Sequence, residues 1–391
     1  MLKDKENQKM LANKFRLYPN KEQTEKLDFA LDTCRQAYNM MLGELNDQVV
    51  IDKNMIQAIL PDLKICEPKF REVYSKTLQY ECYRLFSNLS ALKVLKGNHR
   101  KVGRLRFKGR GWFKTINYNQ SGYSLEGKIL HLSKIGDIKI KVHREVIGDI
   151  KQIQIKRELD KWYAIIITNE NKVISCGERV IGIDLGINNY LVDSDGNKID
   201  NPRILEQNLQ KLKHLQKELS RKKKGSNNRN KAKIRLQKLH LKITNKRTDF
   251  LHKLTTNLVK DCKIIIMEDL NIKNMSENKY FNSRNMMDCS WGKFATLLDY
   301  KAESAGCQVT KVNPKNTSKM CSKCGSIQDM PLYERTYKCK CGLVLDRDYN
   351  SAINILNKLA GQELSCVEKS VNTLLEQTGS MKQEALTSTL C

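Results

Sequence analysis

Three acidic residues follow apolar runs from the middle of the chain onward. In order they are Asp184, Glu268 and Asp348, after the apolar runs 180–183, 264–267 and 343–345. An ionised carboxylate in a core strand needs a cation, a hydrogen-bond network or a metal beside it. Three such donors suit hard divalent cations. The pattern therefore predicts a carboxylate metal site, whereas a single Asp in a strand would more simply cap the following turn.

Four of the thirteen cysteines form a second candidate metal site, at Cys321, Cys324, Cys339 and Cys341. The first pair encloses two residues and is followed by Gly325, which permits a tight turn. The second pair encloses one residue, which is shorter than the usual spacing. Four thiolates can surround Zn²⁺ and leave no open position, so zinc would fold this segment and not catalyse. Free thiols are the alternative.

The chain is strongly basic, with 70 Lys and Arg against 43 Asp and Glu and a formal charge of +27. Such an excess points to a polyanionic partner, and nucleic acid fits better than a membrane surface. No apolar run approaches the roughly 20 residues of a spanning helix, and the first seven residues lack the apolar segment of a signal peptide. The other cysteines stand singly, which is typical of a reducing compartment. We expect no membrane partner and a cytoplasmic, nucleoid-associated protein.

Two segments concentrate the positive charge. In the first, residues 93–114, cations alternate with glycines and with Phe107, Trp112 and Phe113, so backbone, charge and rings can all approach a nucleic acid. The second is the turn at 221–224 between two helical patterns. A solvated loop and a helical hairpin with a basic tip are the structural alternatives. The candidate nucleic-acid-binding residues are Arg104, Arg106, Lys108, Arg110, Arg221, Lys222, Lys223 and Lys224.

The N-terminal part of the chain predicts one strand followed by helices. Residues 13–18 alternate as a strand, and Asn20 with Gln23 has the spacing of a capping box for the next helix. Helical spacing continues to about residue 100, with a break expected near Pro61 and Pro68.

The rest of the chain predicts two further layers. Alternation of period two over 122–170 predicts a small β-barrel that the helices interrupt. From residue 179 onward, a strand, a helical hairpin over 202–249, a strand, a helix and another strand predict an α/β layer with the three acids at the ends of its elements. The polar residues 361–391 predict a disordered tail.

Five stretches form one ordered series: Phe15-Arg16-Leu17-Tyr18-Pro19, Gly182-Ile183-Asp184-Leu185-Gly186, Met267-Glu268-Asp269-Leu270-Asn271-Ile272, Ser318-Lys319-Met320-Cys321-Ser322-Lys323-Cys324-Gly325 and Asp346-Arg347-Asp348-Tyr349-Asn350-Ser351-Ala352. The series resembles the TnpB (OrfB) family of bacterial and archaeal insertion sequences, which is similar to the miniature type V CRISPR effectors. The resemblance covers nearly the whole chain, and its last two motifs are highly specific. The chain departs from the family in the short spacing of Cys339 and Cys341 and in Ser351, where Ala is common.

The resemblance implies an RNase H-like (RuvC) nuclease domain of α/β class with an inserted four-cysteine zinc segment, guided by an RNA from its own element. The target is double-stranded DNA beside a short adjacent motif. The implied catalytic acids are Asp184, Glu268 and Asp348, with Asp346 as the alternative for the third. The implied division is 1–24 (first strand of a wedge β-barrel), 25–115 (helical recognition lobe with the basic segment), 116–172 (rest of the barrel), 173–318 (nuclease domain with a basic hairpin at 202–250), 319–342 (zinc segment), 343–360 (last nuclease motif and helix) and 361–391 (tail).

Carboxylates alone suffice for this chemistry. Two Mg²⁺ ions about 4 Å apart, or Mn²⁺ in their place, can activate water and neutralise the leaving oxygen of a phosphodiester. We expect Asp184 to bridge both ions, with Glu268 and Asp348 each flanking one. All six histidines lie outside the motifs, which disfavours a histidine-metal nuclease. The order Asp, Glu, Asp also differs from the Asp, Asp, Glu order expected of a cut-and-paste transposase.

Two other functions stay open from the sequence. One is an RNA-guided DNA-binding regulator that does not cut, which would be expected to lack one or more of the acids, whereas all three are present. The other is an unguided nucleic-acid-binding accessory protein. A separately encoded transposase of the same element is a further candidate partner.

Overall fold

The computed structural model describes residues 10–47, 52–169, 175–277, 283–331 and 333–359. The chain divides into two compact units, Met1–Asn171 and Lys172–Cys391. The tail predicted for 361–391 lies outside the described residues. Within the described part of the chain, none of the helices has the length and apolar character needed to cross a membrane.

The first unit contains a seven-stranded antiparallel sheet in the order β2-β6-β7-β1-β5-β4-β3. Its edge strands β2 and β3 are consecutive in the chain and joined by a short 3₁₀ turn, so the sheet must curl until its two edges meet. In the described strand pairing, β2 is hydrogen-bonded only to β6, and β3 only to β4. The predicted barrel is therefore present as a curled sheet that no ladder of hydrogen bonds closes. The strands are β1 Met10–Tyr18, β2 Thr115–Asn119, β3 Tyr123–Glu126, β4 Ile129–Leu132, β5 Gly136–Lys141, β6 Asp149–Glu158 and β7 Lys161–Asn169.

Three helices lie between β1 and β2 and share one apolar core with the sheet. The predicted capping box is confirmed: the Gln23 amide donates to Asn20 Oδ1 at 2.8 Å, and the Asn20 amide donates to Gln23 Oε1 at 3.0 Å. The break expected at Pro61 is wrong, because the helix continues through it with Leu60 buried in the core. Pro68 does begin a new 3₁₀ segment. The helices are α1 Lys21–Asp47, α2 Lys53–Cys66 and α3 Ser75–Gly97.

The second unit contains a five-stranded sheet in the order β10-β9-β8-β11-β12. Strands β8, β11 and β12 are parallel, and β9 is antiparallel to β8. Parallel strands need helical crossovers, which explains the predicted alternation of strands and helices and confirms the α/β class. The strands are β8 Arg179–Leu185, β9 Asn189–Asp193, β10 Lys198–Asp200, β11 Cys262–Glu268 and β12 Gln308–Val312.

Helices cover both faces of this sheet. On one face, Ile183 and Met267 pack in a core with residues of α5 and α8. On the other, Ile266 packs with Ile355 of the last helix. A small hairpin of β13 and β14 precedes that last helix. The remaining elements are α4 Ile204–Ser220, α5 Asn227–Asp261, α6 Ile272–Glu277, α7 Ser283–Cys289, α8 Trp291–Ala305, β13 Thr336–Lys338, β14 Val344–Asp346 and α9, residues 347–359.

The helical hairpin is longer than the sequence predicts. Its second helix, α5, runs for 35 residues and ends at Asp261, whereas the sequence predicts that the hairpin ends at residue 249. No Gly or Pro interrupts it, and Leu251, Leu254 and Leu258 join the core that contains α8. The two helices of the hairpin share a small core of their own, formed by Ile204, Leu212, Leu239 and Ile243.

Candidate metal centres and nucleic-acid interface

Asp184 and Glu268 lie side by side at the carboxyl ends of two neighbouring parallel strands. The register pairs Ile183 of β8 with Met267 of β11, so the next residue of each strand is adjacent to the other. Side chains alternate along a strand, and Ile183 and Met267 face the core with α5 and α8. The two carboxylates therefore point to the opposite face, on which α9 lies.

Helix α9 brings Asp348 to the same place through an unusually close contact with β8. A Cβ atom on Gly182 would lie 2.4 Å from the carbonyl oxygen of Ala352 and 2.6 Å from the Leu356 amide nitrogen. Only glycine allows the helix backbone to lie directly on the strand at this point. Asp348 is one helical turn before Ala352, and its Oδ2 is 3.9 Å from where a Cβ on Gly186 would be. It therefore reaches the end of the strand that carries Asp184.

The three carboxylates are close enough for the charges of Glu268 and Asp348 to affect the pKa of Asp184. Burial raises the pKa of Asp184 well above its usual range, and the charges of Glu268 and Asp348 raise it further. Burial also raises the pKa of Asp348, although the Arg335 guanidinium lies 3.8 Å away and opposes the shift. Divalent cations would relieve this repulsion, so the donor set fits the hard metal ions expected from the sequence.

Glu268 is held by two groups that its own stretch of sequence does not reveal. Burial raises its pKa, while a hydrogen bond donated by the Thr317 hydroxyl to Oε1 and the charge of Lys358 oppose that shift. Lys358 is itself fixed, because its ammonium donates to the carbonyl oxygens of Asn313 and Lys315 at 2.6 and 2.8 Å. The carboxylate thus has a defined position, with its second oxygen left for a ligand.

The two acids that compete for the third position differ in their contacts. Asp346 Oδ1 accepts hydrogen bonds from the amides of Asp348 and Tyr349, at 2.9 and 3.2 Å, and so caps the start of α9. Its Oδ2 pairs with Lys198 at 2.7 Å. Burial alone would raise the pKa of Asp346, but the Lys198 contact and these amides outweigh it and lower the pKa. Asp346 is therefore engaged elsewhere, and the geometry favours Asp348 as the acid beside Asp184.

The four predicted cysteines do come together. Their sulfur atoms all lie within 4.8 Å of one another, with Cys321 and Cys341 at 3.7 Å and Cys324 and Cys339 at 3.6 Å. Tetrahedral bonds of about 2.3 Å to zinc place sulfur atoms about 3.8 Å apart. The short spacing of the second pair therefore does not prevent a four-thiolate site, and the cluster can hold a metal ion.

The two candidate centres differ in spacing. Among the residues that the structure describes, the four cysteines are the only group of three or more Cys, His, Asp or Glu side chains with ligand atoms this close. The three carboxylates are spread more widely than one ion would require. A wider spread suits two ions that share the central carboxylate of Asp184.

A pair of buried asparagines on α9 joins the two centres. Asn350 donates to the Met320 carbonyl at 2.8 Å and accepts from the Ser322 amide at 3.0 Å. Asn354, one turn later, donates to the Thr317 carbonyl at 2.8 Å. The helix that carries Asp348 thus holds the loop that carries Cys321, and the same loop supplies the hydroxyl on Glu268.

Sequence reasoning missed Thr317, Lys358 and Asn354 as parts of this site. Thr317 and Lys358 contact Glu268 from distant segments, and no local pattern marks them. The only available signal was the spacing of Asn350 and Asn354, four residues apart on the helix after the acid, which places both on one face.

The first basic segment, residues 93–114, begins in the last residues of α3 and continues as an irregular loop, residues 98–114, up to β2. Arg104, Arg106 and Arg110 are exposed, while Lys108 is partly buried. The backbone of Lys108 is tied to α1, because its amide donates to Asn39 Oδ1 at 2.7 Å and its carbonyl accepts from Asn39 Nδ2 at 3.0 Å. The loop therefore presents cations from a fixed backbone.

The second basic segment is the tip of the α4–α5 hairpin. All four of its predicted residues, Arg221, Lys222, Lys223 and Lys224, are exposed, and none forms an ion pair within the described chain. The turn is closed by Arg229, whose guanidinium donates to the carbonyls of Leu219 and Lys222 at 2.8 and 3.0 Å. Four uncompensated cations at the end of a long hairpin suit contact with a phosphate backbone.

Three family models match separate parts of the chain. The model described as "Probable transposase" matches residues 168–279, which contain β8, the hairpin and β11. "Cas12f1-like, TNB domain" matches residues 291–355, which include the four cysteines. "Helix-turn-helix domain" matches residues 10–49. In the described part of that last range, residues 10–47, the structure has the strand β1 and one helix, α1.

Comparison with a solved structure defines the class of fold. The structure titled "Cryo-EM structure of the Cas12f1-sgRNA-target DNA complex" matches with a TM-score of 0.55 and 17% identity, over 86% of this chain and 83% of that chain. Sequence relatives are more specific. Escherichia coli (strain K12) InsQ, provisionally named an RNA-guided DNA endonuclease, is 33% identical over 272 residues, which are 64% of this chain and 67% of InsQ. A TnpB-like protein of Acanthamoeba polyphaga mimivirus is 31% identical over 380 residues, 88% of this chain and 72% of its own. The chain belongs to the TnpB-like family.

Proposed function

We propose that this protein is an RNA-guided DNA endonuclease of an insertion sequence, and that it hydrolyses target DNA phosphodiesters by RuvC-like chemistry. Family membership and the name of its relative InsQ support the guided function. The observation that carries the chemistry is the convergence of Asp184, Glu268 and Asp348 at one end of a parallel sheet. Strand ends of such sheets are where α/β proteins place their active sites.

The three carboxylates would hold two Mg²⁺ ions, or Mn²⁺ in their place. When bound, such ions supply activation of water and neutralisation of the leaving oxygen. Asp184 occupies the central position, because both other charges act on its pKa. Thr317 fixes one oxygen of Glu268, and the N-terminal position of Asp348 on α9 fixes its direction. The chain thus supplies rigid donors in place of mobile side chains.

The four cysteines would hold one Zn²⁺ in a closed site. Zinc bound there would stabilise the loop over 317–322, which Asn350 and Asn354 connect to the start of α9. Guide RNA and double-stranded target DNA would contact the exposed cations of the loop 98–114 and of the hairpin tip 221–224. We propose that the first unit, with its helices and curled sheet, is the recognition lobe and wedge that the family resemblance implies.

The test begins with the protein expressed together with the DNA that flanks its gene. RNA that copurifies is sequenced, and the complex is incubated with Mg²⁺ and a plasmid library that carries a matched target beside random flanking bases. We expect a defined RNA and cleavage beside one short motif, both with native protein. Asp184→Ala should keep the RNA and lose cleavage. A cutting Asp184→Ala variant would contradict the role of the carboxylates, and defined RNA without any cutting would support the regulator instead.

A further inference from the structure

The loop 98–114 carries an exposed tryptophan. Trp112 exposes 69% of its surface, whereas the other two tryptophans of the protein, Trp162 and Trp291, expose 3% and 5%. An indole ring in water leaves a large apolar face without a partner. A single exposed aromatic residue is common on protein surfaces. The conformation of its loop is what separates Trp112 from that ordinary case.

Both ends of the segment that carries Trp112 are fixed to helices. On one side, the paired hydrogen bonds from Asn39 hold the backbone of Lys108 against α1. On the other, Phe113 is buried, with the Tyr38 ring 5.7 Å and the Arg84 guanidinium 4.7 Å from its ring centre. Trp112 therefore stands in a short span between two anchors.

The span itself is a tight turn that holds the indole ring in place. The Trp112 amide donates to the Gly109 carbonyl at 3.2 Å, and Gly111 adopts a φ of +78°, which favours glycine. A Cβ atom on Gly109 would be 3.5 Å from Cδ1 of the indole, and the Lys108 ammonium is 5.5 Å from the ring centre. Gly109 and Lys108 thus cover part of the ring, and the rest is free.

The charges of the same loop indicate what the free face can bind. The Lys108 ammonium lies 5.5 Å from the ring centre. Arg104 and Arg106, in the same loop, are exposed and form no ion pair in the described chain, and Phe107, five residues before Trp112, exposes 61% of its surface. Cations beside an exposed aromatic ring match the phosphates and the flat bases of a nucleic acid. In a duplex both faces of each internal base are already stacked, so only an unpaired base offers a face to the indole.

We propose that Trp112 is a stacking site for one unpaired nucleobase of a single strand, with Arg104 and Arg106 on the adjacent phosphates. This deepens the proposed function, because it rests on a chain that acts on nucleic acids. The single strand is either the guide RNA or a displaced strand of the target DNA. The fixed turn lowers the entropy lost on stacking, since the indole is already oriented.

Tryptophan fluorescence can report on this site, because Trp112 is the exposed one of the three indoles, and the Trp112→Phe variant gives the signal of the two buried ones for subtraction. The full chain carrying Asp184→Ala, which keeps DNA substrates intact, is titrated with ten-nucleotide RNA, with single-stranded DNA of the same sequence, and with the matching duplex. We expect quenching by at least one single strand and much weaker quenching by the duplex. Whichever single strand binds more tightly identifies the source of the base.

Variants separate stacking from charge. Trp112→Ala should weaken single-strand binding roughly tenfold and leave its salt dependence unchanged, while Trp112→Phe should retain most of the affinity. Arg106→Ala should instead reduce the slope of log affinity against log salt by about one. The proposal is overturned if Trp112→Ala binds as the native chain does, or if the duplex quenches as strongly as the single strands. These measurements need no cleavage, so a result that contradicts stacking at Trp112 would leave the nuclease proposal unaffected.

Discussion

Two clusters of anionic ligands in the second unit are built in opposite ways. The thiolates of 321–341 lie within 4.8 Å of one another and enclose room for a single ion. The carboxylates at the end of β8 and β11 are spread more widely, and burial and mutual repulsion raise the pKa of Asp184. The first arrangement would use all its ligands on one metal ion, whereas the second would leave positions for water and substrate. A protein can thus use one cluster for folding and the other for chemistry.

The two clusters should respond differently to the loss of one ligand. Removing a thiolate should affect stability first, because the small core of Cys321, Met330 and Tyr337 depends on the closed site. Removing a carboxylate should lower the rate of cleavage first. It should not lower stability, because fewer like charges then repel one another in the buried cluster. The following experiments test this separation, beginning with the largest expected effect.

The largest effect is expected for Asp348→Asn, which keeps the shape of the side chain and removes a metal ligand. Cleavage should fall on the order of a thousandfold, as for other groups that act in the transition state. The matched control is Asp346→Asn, two residues away, which retains the cap on α9 and should keep most of the activity. Plasmid cleavage rates measure both. Equal loss in the two variants would contradict the assignment of Asp348 over Asp346.

Cys324→Ser should act mainly on stability. Loss of one thiolate opens the closed site, so bound zinc should be lost and the unfolding temperature of this region should fall by roughly 5 °C or more. Metal analysis and thermal unfolding measure the two effects. Cys66→Ser is the control, because Cys66 is exposed and lies outside the cluster. If the Cys324 variant keeps its zinc and its unfolding temperature, the cluster is not a structural metal site.

Asn354→Ala probes the link between the two clusters and should have an intermediate effect. It removes the hydrogen bonds to the carbonyls of Thr317 and Met320, which should lower stability by about 1–3 kcal/mol. Cleavage should fall roughly tenfold, since supporting contacts of metal ligands have effects of this size. Asn357→Ala, exposed on the same helix, should change neither. A variant that loses stability and keeps full cleavage would show that the clusters are independent.

The smallest effect is a pH dependence confined to the carboxylates. A raised pKa means that the folded chain holds its proton more tightly, so the contribution of Asp184 to stability falls as pH rises above about 4, the usual Asp value, through the raised pKa. Without divalent ions, Asp184→Asn should therefore unfold at a higher temperature than the native chain, and the gap should be wider at pH 8 than at pH 5.5. Adding Mg²⁺ should narrow it. A gap that does not vary with pH would argue against the buried, repelling arrangement.

Most ligands of the two candidate metal sites can be predicted from the sequence, but the way in which the fold positions them relative to one another cannot. The spacing of the cysteines and the position of each acid after an apolar run are local signals, and the structure brings each set together. The choice between Asp346 and Asp348 is not local. Both follow the same apolar run, 343–345, and only the amides of α9 and the contact with Lys198 show which one is engaged as a cap.

The fold also has features that short stretches of sequence predict and features that depend on tertiary packing. The α/β order and the capping box of α1 are patterns within short windows, and both hold in the structure. The passage of α2 through Pro61 and the end of α5 depend on packing. Ile56 and Leu60 secure α2 before the proline, and the apolar residues of α5 beyond residue 250 find partners that their own sequence does not name. Tertiary contacts override local propensity at Pro61, and in α5 they determine how far the helix continues.

Gly182 has a consequence for how relatives of this chain are interpreted. The strand and α9 meet there with no space for a methyl group, so any larger residue would push Asp348 away from its neighbours while every acid stays in the sequence. A non-cutting descendant could therefore arise without losing a ligand. Counting acids is then an incomplete test for a silenced nuclease, and the small residue two positions before the first acid belongs in the same inspection.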